Sequence, residues 1–128
     1  MEKVIKDGRV GVLISPGYGA GFSTWGYPTE AIFDPTLIEM VEKKYNMEYQ
    51  PNEKGGITQI REVWDSPEYK QLTDDMVKYC DTKWEDGYSG GVSDLVVVWV
   101  DEGTEFIVEE YDGSESLLFR NGVDWITA

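Results

Sequence analysis

The sequence predicts an α+β fold: a mostly antiparallel sheet with two or three helices packed on it, in a single domain spanning 1–128. Three observations predict it. Two caps, Asp34-Pro35 and Ser66-Pro67, open stretches whose apolar residues recur at helical spacing. Two apolar runs, Val10–Ile14 and Leu95–Val100, are bounded by glycine-rich loops. Asp112-Gly113 is the favoured pair for a two-residue hairpin turn.

The elements follow in order. Residues 9–15 read as a strand buried on both faces. Asp34 caps free amides, Pro35 suits the first helical position, and Leu37, Ile38, Val41 and Tyr45 mark one helix face, ending near Asn46. Tyr49–Gly56 is a loop by composition. Residues 57–63 fit either a helix, with Ile57, Ile60 and Trp64 on one side, or an extended strand. A second helix over 67–83 carries Tyr69, Leu72, Met76 and Cys80 inward, with Trp84 just beyond its end. Its outer face offers the pairs Lys70–Asp74 and Asp74–Lys78. Gly87–Gly91 is a loop, and Leu95–Val100 reads as a central strand because it is apolar on both faces. Glu105–Tyr111 and Ser116–Arg120 form a hairpin about Asp112-Gly113; Asn121-Gly122 turns into a short final strand at 123–126. No internal repeat or low-complexity tract interrupts the chain.

Composition narrows the functions. Hydrophobic residues make up 41% and aromatics 13%, enough for a packed core at this length. The net charge is −14, which argues against nonspecific binding to nucleic acid or anionic membrane. Such a surface either simply keeps copies apart or imitates the charge of DNA toward a DNA-binding protein. There is no histidine, so His-based triads and Cys/His zinc sites are excluded within one chain. Cys80 is alone, which excludes an intrachain disulfide and fits a reducing compartment. No apolar run reaches membrane-spanning length and the first residues lack a signal-peptide core, so a cytoplasmic protein is expected.

Binding chemistry concentrates in Ser15–Pro28, where four glycines, four aromatics and two prolines share fourteen residues. It is neither a dinucleotide fingerprint nor a P-loop, because the glycine spacing and the Gly-Lys-Ser/Thr step are missing. Loops of this kind offer backbone amides to oxygens and ring faces to a planar guest. Tyr18, Gly19, Gly21, Phe22, Trp25 and Tyr27 are the candidates, joined by Tyr88 from the second loop. The first loop leaves one strand and the second enters another. Only antiparallel neighbours bring the two together. Bases are scarce, and Arg9 and Arg120, with Arg61, are the candidate anion partners. Glu105, Glu109, Glu110, Asp112 and Glu115 crowd the last hairpin, where they either splay into water or meet a cation or a basic partner. No catalytic or metal set and no cofactor is expected from these residues.

The phrases Ser15-Pro16-Gly17-Tyr18-Gly19-Ala20-Gly21-Phe22-Ser23-Thr24-Trp25, Gly90-Gly91-Val92-Ser93-Asp94-Leu95-Val96-Val97-Val98-Trp99-Val100 and Glu110-Tyr111-Asp112-Gly113-Ser114-Glu115-Ser116 resemble a group of short uncharacterised tailed-phage and prophage proteins. The resemblance covers about 9–45 and 87–128; within the rest, 46–65 reads as a variable insertion. It implies a phage accessory protein at work in the bacterial cytoplasm, of the counter-defence kind. Two routes fit. One is a non-enzymatic, homo-oligomeric sponge that sequesters a nucleotide-type signal in the loops. The other is an acidic DNA mimic or protein-binding decoy. A carboxylate- and metal-dependent enzyme is a third reading.

Overall fold

The computed structural model describes residues 2–119 and 126–128. It is built on β2 (Arg9–Ile14), whose last five residues are all buried. A tight turn at Asp7-Gly8, both with positive φ, folds the short β1 (Ile5–Lys6) back against it. On its other side β2 pairs antiparallel with β5 (Val96–Asp101), Val12 opposite Val98. Among the described residues, the order β1-β2-β5 makes β2 the middle strand and leaves β5 at the edge. The sequence expectation of a central β5 is therefore corrected. Val96–Trp99 are only half-buried, and the apolar run serves packing against a helix rather than a second neighbouring strand.

Helix α1 (Pro35–Glu48) lies against β5 and β2, so Leu37, Ile38 and Val41 enter the core. It runs two residues beyond Asn46. Helix α2 (Pro67–Lys83) has the expected limits, and Leu72, Met76 and Cys80 are buried. The Lys70–Asp74 and Asp74–Lys78 pairs do not form; the outer face is tied instead by Gln71 Nε2 donating to Asp75 Oδ1 at 2.8 Å. Between the helices, β3 (Tyr49–Pro51) and β4 (Ile57–Gln59) make a small exposed hairpin. A 3₁₀ turn follows at Arg61–Asp65. The extended alternative thus holds for 57–59. Ile57 and Trp64 remain exposed, so there is no buried face to draw this segment into a helix.

The second sheet has the order β7-β6-β8, from β6 (Glu105–Tyr111), β7 (Ser114–Phe119) and β8 (Ile126–Thr127). Asp112 and Gly113 take φ of 49° and 84°, the paired positive values that a tight hairpin requires. Glu110 faces Glu115 and Tyr111 faces Ser114, as the turn dictates. The return strand starts at Ser114, two residues earlier than expected. Arg120 and the turn at Asn121-Gly122 lie outside the described residues. Phe106 of β6 meets Phe33 edge-on at 6.4 Å and joins the second sheet to the core of the first. Among the described residues no helix is long and apolar enough to cross a membrane.

Asp34 fastens the two helices. Its Oδ1 accepts from the Leu37 amide at 2.8 Å and from the Tyr79 hydroxyl at 2.9 Å, and its Oδ2 accepts from Lys83 Nζ at 2.7 Å. One carboxylate thus caps α1 and holds the last turn of α2. Asp34→Ala is expected to cost about 2 kcal/mol, the sum of a lost cap and orphaned partners, read from urea unfolding. Lys83→Met, at an exposed ammonium, should cost visibly less.

Cys80 is a core residue, as its place on the apolar helix face predicts. Burial, helped by Asp34 and Asp81, pushes its thiol from 9.0 up to about 12. The unfolded chain therefore releases this proton before the native one does. The resulting stability is intact below pH 9 and is lost as pH rises toward 12. Thiol titration with a disulfide reagent at pH 8 should find Cys80 unreactive until denaturant is added. Reaction of the native protein at the unfolded rate would contradict this burial.

Candidate functional site

The antiparallel pairing of β2 with β5 sends the end of one strand and the start of the other to the same edge. The loop after β2 and the loop before β5 meet there. The Tyr88 amide donates to the Trp25 carbonyl at 3.3 Å, and the two rings lie 5.3 Å apart at a tilt of 60°. Gly91 lies so close to Ala20 that a methyl group on it would overlap the Ala20 carbonyl. Gly87 lies under the Tyr27 ring with equally little room. These two glycines are needed for the two loops to pack against each other.

The loop does form a nest of amides that binds an anion, and the anion is Glu115. This side chain is only 2% exposed. Its Oε1 accepts from the Ser15 amide at 2.8 Å. Its Oε2 accepts from the Phe22 amide at 2.9 Å, the Thr24 amide at 3.0 Å and the Thr24 hydroxyl at 2.7 Å. The Glu115 amide donates back to the Ser15 carbonyl at 2.8 Å. The hairpin tip adds two more ties: Gly19 N–H to the Asp112 carbonyl, and Ser114 Oγ to the Pro16 carbonyl at 2.7 Å. A buried carboxylate with four donors is well compensated. The expectation that Glu115 splays into water or meets a cation is therefore corrected. Strand alternation turns it inward with Leu117, opposite Val108 and Glu110.

The other predicted residues divide into four groups. Phe22 and Tyr27 are fully buried, their rings stacked at 4.6 Å, with Trp84 edge-on to Tyr27 at 6.1 Å. Burial, with Cys80 and Asp81 nearby, raises the Tyr27 hydroxyl far above its ordinary range. Gly21 is buried beside the Trp25 ring, while Gly19 is exposed at the hairpin tip. Tyr18 is 76% exposed, Tyr88 is 48% exposed and Trp25 is half-buried. Arg9 begins β2, about 17 Å of strand from the loop, and pairs with Asp101 at 3.3 Å. It is not brought to the loops. Arg61 sits in the exposed 3₁₀ turn, and Arg120 lies outside the described residues.

Outside the nest, Tyr18, Glu109, Glu110, Tyr111, Ser114 and Ser116 line a shallow concavity of about 590 Å³. Among the described residues it contains two tyrosines, two carboxylates and no base. Glu110 Oε2 accepts from the Gly113 amide at 2.7 Å, which holds the turn. Among the described residues no cluster of acids and Cys80 is arranged to hold a metal ion. No protein-family model matches the chain, and comparisons with curated proteins and with solved structures find no match.

Glu115→Ala leaves the Ser15, Phe22 and Thr24 amides without their acceptor. A loss of about 3 kcal/mol or more is expected, measured by urea unfolding. Amide shifts at residues 15–24 should move in the variant even where it still folds. Glu115→Gln should be nearly as damaging, because its NH₂ group faces donors.

Proposed function

We propose that this chain is a non-enzymatic binding protein whose acidic, tyrosine-bearing face occupies the basic surface of another protein. The observation that carries this reading is Glu115: the loop amides suited to a phosphate are already filled by a carboxylate of the same chain. What the loop and hairpin leave to a partner is Tyr18 and Tyr111, 76% and 74% exposed, beside Glu109 and Glu110. A lysine or arginine entering that concavity meets ring faces and carboxylates together. The charge of −14 adds long-range attraction for a basic partner and repels an anionic one. Taken with the resemblance to short phage proteins, the partner is a bacterial defence protein that binds DNA, and the mode of action is occupation of its DNA-binding surface.

A second reading keeps a nucleotide-type signal as the guest, with Tyr18, Trp25 and Tyr88 as its stacking surface. The Trp25–Tyr88 contact at the junction of the loops favours it. The net charge and the distance of Arg9 weigh against it. Thermal-shift screening with cyclic nucleotides and ADP-ribose derivatives separates the two.

The decoy reading predicts salt-sensitive binding of basic DNA-binding proteins that competes with DNA. Tyr111→Ala and Tyr18→Ala should each weaken it by about tenfold, measured by calorimetry. Binding that is unchanged in both variants, or insensitive to salt, overturns it.

A further inference from the structure

A second concavity lies on another side of the molecule, between the C-terminal half of α1 and the edge strand β5. It has a volume of about 520 Å³, within the range of small-molecule sites. One wall is Val97 and Trp99 of β5. The other is Tyr45 and Tyr49, one helical turn apart, their rings stacked at 4.7 Å with 28° between planes. Tyr45 keeps 48% of its surface exposed.

The buried polar groups of this cleft are Lys44 and Glu48, which are 7% and 8% exposed; Glu42 and Asn46 line it as well. Lys44 Nζ donates to Glu48 Oε1 at 2.8 Å, and the Tyr69 hydroxyl donates to the same oxygen at 2.5 Å. Burial and Glu48 hold the Tyr69 hydroxyl in its protonated form across the ordinary pH range. Both bonds fall on Oε1, so Oε2 remains an acceptor. The ammonium uses one of its three protons on Glu48. A donor and an acceptor therefore stand side by side between the tyrosine and valine walls of the cleft. Stability does not account for them, since apolar residues in place of a buried ion pair are often as stable or more so.

The local charge is balanced. Lys44 offsets Glu48, and Lys6 pairs with Glu42 at 2.9 Å while its ammonium lies 5.1 Å over the Trp99 ring. Nothing in this set favours an anion, and the −14 of the whole chain opposes one. We infer that the α1–β5 cleft binds an uncharged, planar heteroaromatic molecule bearing an adjacent donor and acceptor, as on the edge of a nucleobase, with Tyr45 against one face, Val97 of β5 against the other, and Lys44 and Glu48 on that edge. This site shares no residue with the acidic face, so the two readings stand or fall separately.

Titration of the full chain with adenosine, followed by amide shifts, tests the inference. Shifts should centre on residues 41–49 and 95–99. AMP should bind more weakly than adenosine because its phosphate meets the negative field. Tyr45→Ala, at a half-exposed ring, should weaken adenosine by about tenfold. Lys44→Met alone leaves Glu48 buried without its partner, and the loss of the fold would then mask the readout. The double variant Lys44→Met, Glu48→Leu removes both charges and should stay folded while losing adenosine. The inference is overturned by absent shifts at ~1 mM adenosine, by shifts centred on residues 18, 25 and 88, or by AMP binding as tightly. Undiminished binding to the folded double variant overturns it as well.

Discussion

The carboxylate of Glu115 sits where three pieces of chain must agree. The loop after β2 exposes amides that no strand can satisfy, because the chain turns away from the sheet at Ser15. In a buried position each unpaired amide is costly. Glu115 meets those of Ser15, Phe22 and Thr24 with one side chain and adds the Thr24 hydroxyl. Because it belongs to β7, the same bonds couple the second sheet to the end of the first. The tight Asp112-Gly113 turn sets the strand register that points Glu115 inward. The aromatic rings of the loop then fall into place. Phe22 and Tyr27 turn into the core, while Tyr18 is left outside.

Asp34 does for the helices what Glu115 does for the loops. It ends the 3₁₀ turn Thr29–Phe33, caps α1 and reaches Tyr79 and Lys83 of α2. Two buried acids thus sit at the joints of the fold. The surplus of negative charge is not all surface. A share of it is invested in fixing backbone donors, and the rest gives the exterior its character.

Much of this architecture can be read from residue order. Pro35 and Pro67, each behind a capping side chain, mark both helix starts, and the limits of α2 follow its apolar period. Asp112-Gly113 fixes the hairpin and its pairing. The condition that the two glycine-rich loops meet through antiparallel strands could be written down before any coordinates. Other features were hidden for physical reasons. Glu115 looks like one more acid among five. Its inward position follows from counting alternate residues back from Leu117, but the partners it finds are nearly a hundred residues away in sequence. The edge position of β5 is invisible because an apolar run reads alike beside a second strand or beneath a helix. The α1–β5 cleft leaves no mark in the sequence, because Lys44 and Glu48 look like an ordinary surface pair one turn apart; only tertiary packing buries them.

The edge position of β5 has a consequence for how the protein behaves in bulk. Among the described residues, Val96 to Val100 is a valine-rich ribbon with a strand partner on one side only, the kind of border along which separate molecules can zip together. Mutual repulsion between highly negative copies is the natural guard against that. The guard is titratable: near the isoelectric point of about 4.2 it vanishes while the ribbon remains. Acidification should therefore turn a well-dispersed solution cloudy with strand-rich aggregates before the helices are lost, and strong salt should act in the same direction at neutral pH.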